Sequence, residues 1–480
     1  MNELFRTSAT ALRQLIYKRE ISCRDVMAST LERISAIEPQ INAFALIDAD
    51  EALGAANRAD KALSKGATTG PLHGIPFTVK DLLDVEGVET GFGSWLMEGN
   101  IATADAEAVR RLKTAGAIPI GKTTTPEFAG SVLTESLRYG VTRNPWNPDY
   151  TCGGSSGGAG AAVASGCGPL GLATDGAGSA RIPASCCGVL GLKPTLGRVA
   201  HPQGPDLFAT FTHIGLLART LPDLALMLDV MSGPHDGDPW SLSRSWDPIA
   251  VSAGHHVTAN TQRAWYFPLL GNDRLAGNVS TLCADALAHL CERGLDIEAH
   301  DSALDWGIDA SRTIMRSLMS ARMGQFDETA RQRMGAGMRR AIKEGEGMDA
   351  DAVKQAPLAR ARLFQMVQGL LAERPILLSP TLSAAPPLAT FDPVGDFQID
   401  GHAVGDLRAG WFTYPTPFNL TGHPAISIPI GFTHDGLPVG LQAVAGWGQE
   451  QALFDLASSL QEHFAWPDHW PGHDRQELRK

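Results

Sequence analysis

Thirteen glycines fall within the 45 residues 153–197, and no other feature of the chain constrains its fold as much. The other 435 positions hold 38 glycines, so the enrichment is local. No Gly-x-y period runs through the block, which excludes a collagen-like helix. Its surroundings exclude disorder: 44% of the residues are apolar and 19% charged, enough to build a core. Glycine permits sharp turns and lets main-chain N–H groups converge on one point. The chain must therefore use its backbone here for close packing, for chemistry, or for both.

The block reads TCGGSSGGAGAAVASGCGPLGLATDGAGSARIPASCCGVLGLKPTLGR. Residues 151–174 are uncharged, but they are weakly apolar and interrupted by Gly166, Gly168, Pro169 and Gly171. A bilayer span does not fit; a buried helix followed by a buried strand does. Close packing of that helix on a sheet accounts for glycines such as Gly160 and Gly166. It does not account for Ser155 within GGSSGG or Ser179 within DGAGS. Converging N–H groups beside a serine suit an oxyanion or a phosphate. The phosphate reading lacks the lysine of GxxxxGK[ST], and near-matches to GxGxxG follow from glycine abundance alone. Gly153-x-Ser155-x-Gly157 also fits the serine elbow of α/β-hydrolases, which requires a strand directly before the serine. NPWNPDYTC, with two prolines, disfavours that strand, and neither His423 nor His473 sits in a persuasive context downstream.

Elsewhere the chain alternates β-like and α-like segments. Residues 7–37 read as two amphipathic helices parted near Ile21–Ser22, the second ending before Pro39. IPFTV (75–79) is a strand ending at Lys80. Residues 105–114 form a helix capped by Thr103 or Asp105, and 117–121 a strand. Further strands are expected at 264–267, 295–298, 376–379, 425–429 and 439–444, with helices at 279–293 and 449–462. Residues 310–373 read as largely helical, with Met315, Met319, Met323, Met334 and Met338 as core filling. This pattern predicts an α/β fold with a mixed, mostly buried sheet. One large domain over 1–480 is expected, with N-terminal helices at about 5–65 and a helical insertion at about 310–373.

Charge and cysteine usage narrow the function. The balance of 52 acidic against 40 basic residues argues against a nucleic-acid partner. Seven cysteines in irregular spacing, without a CxxC pair, exclude a disulfide framework and a zinc knuckle. Reduced thiols in a cytoplasmic protein are expected. The first twenty residues lack the unbroken apolar stretch of a signal peptide.

With its serines, the block resembles the amidase signature: GGSSGG, then about twenty residues, then TD-x-x-GS-x-R-x-P, here residues 174–183. GIPFTVKDLLDVEGVETGFGS, GKTTTPEFAG, NPWNPD, FNLTGHPAISIPIG and GLPVGLQAV extend the likeness in order over roughly residues 5–470. The resemblance implies one α/β/α domain with a Ser–Ser–Lys triad. Carried over by position, Ser179 is the nucleophile, Ser155 on a cis peptide the bridge, and Lys80 the base. The N–H groups of Gly176, Ala177, Gly178 and Ser179 would form the oxyanion hole, with Ser156, Asp175 and Arg181 in support. The chemistry needs a neutral lysine, because a serine hydroxyl is a poor nucleophile without a base. Burial lowers a lysine pKa, whereas Asp81 and Asp84 would raise it if they faced Lys80.

The chain departs from the family pattern at Ala177, where glycine is usual, at Cys152, where proline is common, and at Thr124, where asparagine is frequent. A Cys152 nucleophile has no suggested histidine partner. The expected function is hydrolysis of C–N bonds in amides, with carbamates, anilides or esters possible through the same oxyanion. No metal or cofactor is expected. The expected partner is a small-molecule amide or carbamate, not nucleic acid or membrane, and the protein is expected to be a monomer or homodimer. Phe92, Phe128, Ala129, Gly130, Trp411 and Phe412 are candidates for the substrate pocket. The chain also resembles the glutaminase subunit of the tRNA-dependent amidotransferase, which is the alternative function.

Overall fold

Apolar runs bounded by turn formers become the strands of one large sheet. The computed structural model describes residues 3–472 apart from 210, 243, 252–262, 301–302 and 394. IPFTVK gives Pro76–Lys80, and the uncharged stretch after GGSSGG gives the helix Gly157–Ala164 and the strand Leu170–Asp175. Both strands are buried at every residue, which suits a central position with both faces covered.

Among the described residues the sheet has 11 strands. Across it run Phe44–Ile47, Ile118–Thr123, Pro76–Lys80, Leu170–Asp175, His213–Ala218, Leu190–Lys193, Ala425–Phe432, Pro438–Ala445, Ile376–Pro380, Arg263–Tyr266 and Asp296–Ala299. Pairing is mixed, as the alternating pattern predicts. Pro76–Lys80 runs parallel to both of its neighbours, while Leu170–Asp175 is antiparallel to His213–Ala218. One register fixes the site: Val79 pairs with Leu172, so Lys80 and Asp175 leave the sheet at the same, carboxyl-terminal edge. Ligands of open α/β sheets bind at such an edge.

Local differences from the expected elements have identifiable causes. Ser22 and Asp25 form a reciprocal capping box that starts Cys23–Ile41. That helix does not stop before Pro39. The proline falls in its last turn, where little helix remains to disrupt, and Asn42 at φ 50° ends it. Glu107–Thr114 has Ala106 at its cap and no capping side chain. Asp105 instead accepts from the Glu86 N–H at 2.8 Å and pairs with Lys113, and Thr103 plays no part.

Gly160 and Gly166 serve packing in ways other than expected. A Cβ on Gly160 would meet Pro183 at 2.9 Å, so it admits a neighbouring helix rather than the sheet. Gly166, at φ +79°, turns the chain after Gly157–Ala164 and faces Phe5 and Trp470. Between that helix and the strand Leu170–Asp175 the close approach is made at Gly171, against Val163.

Residues 308–373 form Ile308–Met323, Glu328–Gln332, Ala336–Glu346 and Ala350–Glu373, and the first packs on the third and fourth. Met323, Met334 and Met338 fill a small core with Phe128 and Ile342. Glu127 ties this unit to the sheet side by accepting from the Gly335 N–H at 2.8 Å. Among the described residues, no helix is long and apolar enough to cross a membrane.

Candidate active site

Lys80 ends a buried strand, and its side chain has no exposure at all. Its Nζ lies 2.8 Å from Ser155 Oγ, 2.8 Å from Ser156 Oγ and 3.0 Å from Thr174 Oγ1. Burial pulls the Lys80 pKa down to about 7, against a smaller upward pull from Asp175. The feared acidic neighbours face elsewhere. Asp81 accepts from the Gly91 N–H at 3.0 Å and from Tyr139 at 2.9 Å, and sits 3.4 Å from Lys122. Asp84 likewise acts on Lys122.

The three hydroxyls around Lys80 determine what its proton does. Ser156 Oγ donates to the Thr174 carbonyl at 3.0 Å, so toward Lys80 it can only accept. An ammonium donates to all three oxygens. A neutral amine keeps two N–H groups and one lone pair. Ser156 must keep one of the N–H groups, which leaves the lone pair to the hydroxyl of Ser155 or of Thr174. When it faces Ser155, deprotonation of Lys80 reverses that hydrogen bond and makes Ser155 Oγ an acceptor for another proton.

GGSSGG places Ser155 beside Lys80. The Gly154–Ser155 peptide is cis, and Ser156 stands at the start of Gly157–Ala164. A Cβ on Gly158 would lie 2.4 Å from Thr124 Oγ1, so only glycine lets this helix approach the Ile118–Thr123 strand end. Among the described residues no strand leads into Ser155, which removes the elbow reading. His423 is buried with Nδ1 2.9 Å from Thr421 Oγ1, and His473 lies outside the described residues.

The second serine follows the strand Leu170–Asp175. Ser179 is half-buried, and it lines a cavity of about 140 Å³ together with Ser155, Thr174, Gly176 and Ala177. Asp175, without exposure, organises this loop. It accepts from Arg181 Nε and Nη2 at 3.0 Å each, from the Gly178 N–H at 2.7 Å and from the Ala180 N–H at 3.2 Å. Burial alone would raise its pKa, but Arg181 and Asn419 hold it well below the usual carboxylate range. Arg181 also donates to Gln442 Oε1 at 2.7 Å and the Pro415 carbonyl at 3.0 Å.

These bonds correct the expected oxyanion hole. The Gly178 N–H is spent on Asp175, and Gly178, at φ +108° against Pro415, turns the loop. The N–H groups of Gly176, Ala177 and Ser179 meet no acceptor among the described residues, and all three residues line the cavity. Burial pushes the Cys152 thiol up to about 12, which argues against a thiolate nucleophile.

Of the pocket candidates, Phe92, Phe128 and Ala129 line the cavity; Gly130, Trp411 and Phe412 do not. Trp411 is core, its Nε1 donating to the Ala384 carbonyl at 3.0 Å, Phe412 lies beneath Arg408, and Gly130 faces Met338. Met315 and Met319 line the cavity rather than only filling core, beside Leu318, Arg322, His201 and Phe211. The sequence carried no sign of these. Thr174, Asn419 and Gln442 were also unassigned, although each lies inside a signature-like segment. Among the described residues, no group of three or more His, Cys, Asp or Glu side chains is arranged to hold a metal ion.

The amidase family model matches residues 25–454. An acylamidase of Rhodococcus erythropolis is 35% identical over 470 residues, covering 97% of this chain and 97% of the relative. A glutamyl-tRNA(Gln) amidotransferase subunit from Clostridium kluyveri is 31% identical over 495 residues, covering 96% of each. The solved structure of a 6-aminohexanoate cyclic dimer hydrolase matches with a TM-score of 0.85 at 29% identity, over 98% of this chain and 99% of that one.

Proposed function

This chain belongs to the amidase signature family of amide-hydrolysing enzymes, and on that premise we propose that it cleaves C–N bonds through a serine acyl-enzyme. Ser179 Oγ attacks the carbonyl carbon and passes its proton to Ser155 Oγ, which passes its own to Lys80 Nζ. The oxyanion is met by the N–H groups of Gly176, Ala177 and Ser179. Collapse breaks the C–N bond, and the relay returns a proton to the departing amine. Water then attacks the ester on the same path and releases the acid. The enzyme works in the cytoplasm as a monomer or homodimer, with carbamates, anilides and esters as further substrates.

The observation that carries this reading is the buried Nζ of Lys80, 2.8 Å from the Oγ of Ser155, on the wall of the cavity that Ser179 lines. A fluorophosphonate should label one residue, Ser179, by peptide mass spectrometry, and Ser179→Ala should remain unlabelled. A label on Ser155, Cys152 or any other side chain would sink the assignment.

The reading also fixes a pH dependence. Only neutral Lys80 accepts a proton, so kcat/KM should rise tenfold per pH unit on the acid side and level off above its pKa of about 7. A flat profile from about pH 5 to about pH 8 would mean that another group is the base.

A second reading, the glutaminase subunit of an amidotransferase, is favoured by similarity to the Clostridium relative. Glutaminase activity of the isolated chain, or its isolation with two further subunits, would decide for it. Turnover of bulky apolar amides alone would decide against it.

A further inference from the structure

The helix Ile308–Met323 places Met315, Leu318, Met319 and Arg322 on the cavity wall. Their spacing of three, four and seven residues puts them on one helix face. Three of these side chains are apolar, and the fourth is a cation. Arg312 and Arg316, on the same helix, both meet Glu344, at 3.4 Å and 3.0 Å. Arg322 has no hydrogen bond or ion pair among the described residues. It is half-buried, and that burial lowers its pKa with no anion to oppose it.

The remaining lining makes the cation stand out. Among the described residues it contains no Asp or Glu. His201, held by burial at about 4, is neutral near pH 7. Arg322 is therefore the one charged side chain on the described wall. Attraction to the carboxyl end of its helix favours a cation at this position, but it gives the guanidinium's five N–H groups no acceptors. A planar fork of donors beside an apolar wall fits a carboxylate, which it can bind bidentately.

We infer that the substrate is an amide bearing a carboxylate, bound by Arg322 across an apolar spacer that lies on Met315, Leu318 and Met319. The inference rests on the amidase reading for the position of the scissile bond. Glutamine would satisfy Arg322, but its ammonium would find no carboxylate in this lining. The geometry therefore points to a carboxylate without a neighbouring ammonium, as in dicarboxylic acid monoamides or N-acyl amino acids.

Binding tests this without turnover. Calorimetry on Ser179→Ala would compare adipamate with hexanamide, equal in length and differing in the terminal carboxylate. N-acetyl-γ-aminobutyrate and N-butylacetamide form the matching pair with the carboxylate on the amine side. At least one pair should favour the anion by about tenfold or more, showing which side of the bond carries the charge. Adding Arg322→Gln should bring that ratio close to one, and Arg322→Lys should restore part of it. Equal binding within both pairs, or a preference that survives Arg322→Gln, overturns the inference. The serine chemistry fails separately, through labelling at a residue other than Ser179.

Discussion

Lys80→Met should lower kcat/KM by a factor on the order of 10⁴ or more while abolishing the rise in stability between about pH 7 and about pH 10 that burial of this lysine imposes. The activity loss follows from the relay, since no other base lies within hydrogen-bond reach of Ser155 among the described residues. The effect on stability follows from linkage. The Lys80 pKa is 10.5 in the reference state and about 7 in the folded one. Below about pH 7 both states carry the proton, and the full cost of a buried cation falls on the fold. Between 7 and 10.5 the unfolded chain holds the proton that the folded one has released, so stability rises with pH. Above that window the cost is gone. At about 1.4 kcal/mol per pH unit, the cost amounts to a few kcal/mol at low pH. Methionine removes it, but leaves Ser156 and Thr174 without a donor, a loss of about 1–3 kcal/mol per orphaned group. These opposing contributions are of similar size near pH 6, so the sign rests on the pH dependence: relative to wild type, the variant's unfolding midpoint should fall between about pH 7 and about pH 10. A stability difference that does not move with pH would show that Lys80 is not held neutral by burial.

Asp175→Asn should destabilise the protein by about 3–5 kcal/mol, because it leaves the Arg181 guanidinium buried without a counter-charge. The same change weakens the brace of the loop that carries Ser179. Asp175 holds the Gly178 N–H and thereby fixes the direction of the N–H groups on either side of it. kcat should therefore fall by more than the lost stability explains, measured where the variant is fully folded. Denaturant unfolding and steady-state kinetics on one preparation separate the two effects. Since the folded Asp175 pKa lies below its unfolded value, this contribution is present above about pH 4 and fades as pH falls below it. An unchanged unfolding midpoint would show that Asn419, Gln442 and the Pro415 carbonyl satisfy Arg181 without the carboxylate.

The alternation of apolar runs and turn formers carried most of the sheet, because a strand buried on both faces reads as a nearly continuous apolar run. Pro76–Lys80, Leu170–Asp175 and the three carboxyl-terminal strands were legible for that reason. The boundary that slipped before Glu107 was set by a contact outside the helix, the Glu86 N–H on Asp105; the one at Pro39 slipped because a proline in the last turn leaves little helix to disrupt. The pocket was half legible. Phe92, Phe128 and Ala129 lie within signature-like segments, whereas Met315, Leu318, Met319 and Arg322 come from a helix nearly two hundred residues further along.

The glycine block marks the division. Alone, the sequence determined that a backbone needing thirteen glycines in 45 residues was bent around two serines, and it supplied the lysine, the aspartate and the arginine. These are properties of residue type and local spacing, fixed by what a Cβ permits and what a side chain can donate. Only the tertiary structure decided which of those groups meet. It turned Asp81 toward Lys122, spent the Gly178 N–H on Asp175, and left Arg322 without a partner among the described residues. The physical reason is that a pKa, a free N–H and an unpaired charge depend on neighbours brought together by the fold, and no spacing along the chain specifies them.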